Sequence, residues 1–106
     1  MQIIIHTKDD DALFKAINAK IRKGELKTWE IKLNKDKEVL YNHTPDQWSE
    51  KVLLQPKDHT NGLKIVTTYW SKNPAPDEAT KGYIIGRFVE ILMVHFREHF
   101  SKLEVI

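Results

Sequence analysis

The chain has 106 residues, 17 of them lysine or arginine against 15 aspartates and glutamates, for a formal net charge of +2, and it has no cysteine. A single domain of this length buries about two-thirds of its unfolded surface, and without thiols it can hold neither a disulfide framework nor a thiolate zinc site nor a cysteine nucleophile. The interspersed charges lack the concentrated basic excess of a nucleic-acid module, and no apolar run approaches the about 20 residues that span a membrane, so a cytoplasmic protein with neither kind of partner is expected.

Gln2 to Thr7, rich in isoleucine, predicts a first strand. Lys8-Asp9-Asp10-Asp11 supplies an N-cap and negative charge for a helix from about Asp10 to Lys23. Leu13, Phe14, Ala16, Ile17 and Ile21 make its apolar face, Lys15, Asn18 and Arg22 face outward, and Gly24 ends it in a left-handed conformation. Thr28 to Leu33 alternates strictly, with Trp29, Ile31 and Leu33 on one side and Glu30 and Lys32 on the other. Asn34 to Lys37 is a polar turn, and Glu38 to His43 returns as a third strand. Thr44-Pro45-Asp46-Gln47 has the form of a capping box with proline at the first helical position, predicting one helical turn that carries Trp48. Lys51 to Gln55 reads as a fourth strand, Pro56 to Gly62 as a loop and Leu63 to Trp70 as a fifth strand. Ser71 to Pro76 is rigid and extended, and Pro76-Asp77-Glu78 opens a final helix that runs to about Leu103. The order β-α-β-β-β-β-α fits an α+β fold, an antiparallel sheet of about five strands with two helices packed on one face.

The final helix carries the strongest signal. Projected at about 100° per residue, Ile84, Ile85, Phe88, Ile91, Leu92 and Phe96 form one apolar band, and Gly82, Gly86, Val89, Met93 and Phe100 form a second beside it. Together they cover an arc of roughly 200°, twice the about 100° that a surface helix needs. Such a helix must be covered on two sides, by its own sheet and by something else. Glycine costs about 1 kcal/mol in a helix interior relative to alanine, so two glycines four apart mark a close backbone approach. Two coverings meet that requirement. One is a crossing over the protein's own sheet or first helix; the other is a second subunit across a two-fold axis, which also covers Val89, Met93 and Phe100.

His95-Phe96-Arg97-Glu98-His99 matches the H-x-x-E-H pattern of zinc metallopeptidases. Histidines four apart on a helix share a face and can hold zinc, with the glutamate as a base toward bound water. Only seven residues follow His99, with Glu104 their sole carboxylate, so a third ligand from a distant later segment is missing. No metal or other cofactor is therefore expected, and both histidines read as hydrogen-bonded groups at the border of the buried face. Trp29 alternates with apolar partners and reads as core. Trp48, between Asp46 and Glu50, is the candidate exposed anchor, because tryptophan is enriched at binding hot spots. The loops around His43 and His59 combine histidine, acid and hydroxyl, and solvated turn chemistry explains both. Helix capping accounts for the three aspartates in the same way, and no serine elbow or phosphate-cradling glycine loop is present.

The first expectation is thus a small non-catalytic cytoplasmic accessory protein, a homodimer or bound to a protein partner, with Gly82, Gly86, Val89, Met93 and Phe100 as its interface. A second is a binder of small apolar ligands, with a cavity between sheet and final helix lined by Tyr69, Trp70, Phe88, Leu92, His95, Phe96 and His99. A zinc-dependent hydrolase built on His95 and His99 ranks last.

Overall fold

The computed structural model describes residues 1–106. In chain order it holds β1 (Gln2–His6), α1 (Asp10–Arg22), β2 (Trp29–Leu33), β3 (Val39–His43), β4 (Leu53–His59), β5 (Gly62–Thr68), α2 (Glu78–His95), a 3-10 turn at Arg97–His99 and β6 (Lys102–Val105). The strands form one sheet in the order β2-β3-β4-β5-β1-β6, with every neighbouring pair antiparallel. Both helices pack on one face, as the element pattern predicts, over six strands in place of about five. α1 carries the chain from β1 to the edge strand β2, and α2 carries it from β5 past β1 to the other edge, β6. No helix is long and apolar enough to cross a membrane.

Local chemistry sets the boundaries. The Asp9 carboxylate accepts from the Ala12 amide at 3.0 Å and caps α1, and Gly24, at φ 74°, ends that helix through its amide bond to the Ile21 carbonyl. Asn34 turns the β2–β3 hairpin by accepting the amides of Asp36 and Glu38 at 3.0 and 2.9 Å. Pro45 accepts the amides of both Trp48 and Ser49, which closes the single turn expected there. Asp77 caps α2 by accepting from the Thr80 amide at 2.8 Å.

Alternation divides the three isoleucines of β1. Ile3 and Ile5 join Leu13 and Ile17 of α1 and Ile84, Phe88 and Leu92 of α2 in the core, while Ile4 points to the opposite face. Leu40 and Leu53 are buried on that face too. Their cross-strand neighbours there are Lys64 and Glu104 beside Ile4, Lys32 beside Leu40, and Thr68 and Asn42 beside Leu53. Long side chains can cover apolar surface with their stems while their charged heads stay in water.

Phe88 stacks on Tyr41 with ring centroids 5.4 Å apart and meets the edge of Trp29 at 5.3 Å. The buried Tyr41 hydroxyl donates to the Asn18 side chain at 2.6 Å, and burial pushes the phenol's pKa up. Asn18 was expected on the outer side of α1. It turns inward instead, because the tyrosine brought beneath it by β3 needs an acceptor in a dry interior.

Two further expectations are corrected. α2 stops at His95, not near Leu103. Phe96 leaves helical geometry, Phe100 is extended, and Lys102–Val105 pairs with β1, whose outer edge would otherwise stand bare. Pro56, expected in a loop, lies within β4 opposite Ile65 of β5. β4 pairs with β3 only at Leu53 and Leu54, so the missing proline N–H falls where β4 has a single neighbour.

Two substitutions test this architecture by urea or thermal unfolding. Tyr41→Phe leaves the Asn18 oxygen buried without a donor and is expected to cost about 1–3 kcal/mol. Gly62 has φ 143°, and a Cβ there would collide with the Ile5 carbonyl oxygen and stand 2.7 Å from the Thr7 amide nitrogen. Gly62→Ala is therefore expected to destabilise by more than about 1 kcal/mol; an unchanged midpoint for either variant contradicts the packing described.

Candidate functional site

α2 presents three different surfaces. Ile84, Ile85, Phe88, Ile91 and Leu92 are buried. One flank, with Tyr83, Arg87 and Glu90, borders a cleft whose other residues include Thr28, Trp29, His43 and Trp48. The opposite flank carries Gly82, Gly86, Val89 and Met93. A methyl group built on Gly82 would meet only the Met1 side chain, at 3.8 Å, and one built on Gly86 would meet nothing within 4 Å. Neither the sheet nor α1 crosses close to these glycines, which overturns an internal crossing as the reason for them. Val89 is half-buried against the core, whereas Met93 is 49 % exposed and the adjoining Val94 69 %. Phe100, expected in the same band, lies beyond the helix and is buried in the core. Four of the five expected interface residues thus share one flank, on which Gly86 and Met93 are uncovered.

That flank lies toward the β6 edge. Tyr83 and Arg87 face the ends of β2 and β3, while Gly82 faces Met1 at the start of β1, beyond which β6 runs. Gln2 and Ile106 exchange both backbone hydrogen bonds, at 2.8 and 2.9 Å. By the alternation of an antiparallel ladder, Leu103 and Val105 then direct their own N–H and C=O groups away from β1, to the open edge. On the face away from the helices, Lys102 stands 3.3 Å from the Glu104 carboxylate and holds its pKa below the usual range; His6 lies 3.4 Å from the same oxygen.

The cleft on the other flank measures 340 Å³. Trp48 stacks on Tyr83 with centroids 4.1 Å apart, and Arg87 donates to the Tyr83 hydroxyl at 2.9 Å. Trp48 is half-buried, so the expected exposed anchor is one wall of a pre-formed aromatic groove. His43 is only 6 % exposed. Its Nδ1 faces the Thr28 carbonyl at 2.9 Å. A carbonyl only accepts, so Nδ1 carries the proton and Nε2 is left as an acceptor. Desolvation lowers the pKa of His43; Arg87 acts in the same direction, and the Thr28 bond and Glu90 oppose.

The remaining candidates are scattered. A polar cleft of 590 Å³ at the far end of the sheet is lined by His6, Lys8, Asp9, Asn61, Glu98 and His99, among others. His99 sits on the 3-10 turn and His95 is exposed at the end of α2, so the two do not share a helical face. No group of three or more histidine, aspartate and glutamate side chains is placed to hold a metal ion. The residues expected around an apolar cavity are not brought together. Phe88, Leu92 and Phe96 are fully packed, Tyr69 is exposed, and Trp70 donates its indole N–H to Glu50 at 2.8 Å.

Sequence reasoning missed His43 and Arg87 as partners. The one local signal was the spacing of Tyr83 and Arg87, four apart on a helix; the approach of His43 is a tertiary fact. No family model matches the chain, and no curated protein or solved structure matches it.

The depressed pKa of His43 makes a pH prediction. An unfolded histidine titrates near about 6.5, so the unfolded state binds this proton first. The contribution is complete above about pH 6.5 and is lost as pH falls through the lower folded value. Between about pH 7 and pH 5 the melting temperature of the native chain should fall further than that of His43→Gln. Parallel curves for the two proteins contradict the assignment.

Proposed function

We propose that this protein is a small, non-catalytic, cytoplasmic interaction protein that self-associates through the flank of α2 bearing Gly82, Gly86, Val89 and Met93. The observation that carries the reading is the empty space over Gly86, where nothing in the chain stands within 4 Å of an added methyl. Glycine in a helix interior costs about 1 kcal/mol, and here no contact within the chain offsets it. A second helix approaching along this flank does so. It also removes Met93 from water, an apolar gain of about 25 cal/mol for each Å² buried. A two-fold axis meets the requirement with one chain, because it sets the same apolar flank against itself. Tyr83 and Arg87 border the cleft on the other flank, while Glu90, one turn after Gly86, stands at the margin of the contact.

Light scattering or sedimentation at micromolar protein is expected to give a dimer. Gly86→Leu fits the open space of one subunit but fills the contact, and Met93→Glu places a charge in it. Each is expected to weaken the dimer by at least about tenfold, or 1.4 kcal/mol, with subunit folding retained. A mass that stays monomeric across concentrations overturns the proposal.

A further inference from the structure

Resting on that self-association, we infer that the second copy also joins through β6, edge to edge and antiparallel, with Leu103 on the two-fold axis so that the two sheets continue as one. The outward backbone groups of Leu103 and Val105 are open, and an edge strand's free N–H and C=O groups readily pair with another chain. The glycine flank of α2 lies on the same side of the molecule, since Gly82 faces Met1 while Tyr83 and Arg87 face the opposite way. Pairing at β6 therefore draws the two apolar flanks toward each other above the joined sheet.

Charge decides the register. When both helix layers lie on one side, directly opposed residues share a face, so the axis passes through a residue. Centred on Leu103, the pairing sets Lys102 opposite the partner's Glu104, twice, and Leu103 against its own copy on the helix side. Centred on Glu104, it sets two carboxylates against each other, which is unfavourable. The Leu103 register satisfies both faces. The other edge, β2, has the same spacing of opposite charges in Glu30 and Lys32. Leu33 is an exposed apolar residue on that edge, but no apolar helix flank accompanies it, because α1 ends beside it in the exposed Arg22 and Lys23, and the α2 flank on that side carries Arg87.

Charge reversal in the full chain, read by sedimentation at several concentrations, tests this. Lys102→Glu and Glu104→Lys, each alone, oppose like charges and are expected to weaken the dimer at least about tenfold. An equimolar mixture of the two variants restores it, because each supplies the sign the other lacks. The side chains are 62 % and 44 % exposed, so the subunit fold is retained, and circular dichroism checks it. Lys32→Glu on β2 is expected to leave the dimer unchanged. A dimer indifferent to both β6 reversals but broken by Met93→Glu overturns the β6 pairing and leaves the helix contact standing. Disruption by Lys32→Glu in their place moves the junction to β2 and likewise overturns it. A native chain that is monomeric throughout overturns both readings.

Discussion

The ring of Phe88 lies against Tyr41 of β3 and Trp29 of β2, and Tyr41 in turn donates its hydroxyl to Asn18 of α1. One line of contact therefore ties both helices to the same end and the same face of the sheet. Truncating a buried aromatic of this kind costs about 3–5 kcal/mol, a large part of the about 5–15 kcal/mol that holds an ordinary domain together. The Tyr41–Asn18 bond adds direction to that apolar contact, since its donor and acceptor are satisfied in only one relative position of α1 and β3.

Once Phe88 points inward, the rotation of α2 about its axis is set. Ile84, Ile85, Ile91 and Leu92 follow it into the core. Tyr83 and Arg87 must then stand over Trp48 and His43, while Gly82 must face Met1 and Gly86 open space. The aromatic groove and the bare apolar flank are two consequences of a single packing decision. They have opposite characters because the helix sequence differs on its two sides, with aromatic and charged residues on one and glycine, valine and methionine on the other.

Much of this was legible in the amino-acid order. α1 was readable from Asp9 and Gly24, the β2–β3 hairpin from strict alternation around Asn34, and the start of α2 from Pro76 and Asp77. The surplus apolar arc of α2 was readable too, and it is the feature that led to the uncovered flank. What failed was decided by distant partners. Phe96 and Phe100 keep a helical period past His95, so nothing local announces that the chain unwinds; the demand comes from the free edge of β1. Asn18 looks like a surface residue until Tyr41 is beneath it. Pro56 looks like a loop until β3 is seen to leave β4 after Leu54. Glu50, at φ 60°, accepts from the Trp70 indole and donates its own backbone amide to the Asn42 side-chain oxygen, an arrangement between two connections that no single stretch encodes.

The position of β1 in the sheet has a temporal consequence. This strand is the first of the six in chain order, yet its two neighbours are β5 and β6, with Gln2 set against Val66 and Ile3 against Val105. Contacts so far apart along the chain form slowly. While the nascent polypeptide lengthens, Ile3-Ile4-Ile5 has neither of its eventual neighbours, and a short apolar run of high β-propensity is the kind of segment that joins to copies of itself. The charges of Lys8-Asp9-Asp10-Asp11 follow that run closely, and charged residues flanking an apolar strand act against such self-pairing. The sheet is complete only once β6, sixth in chain order, has paired beside β1.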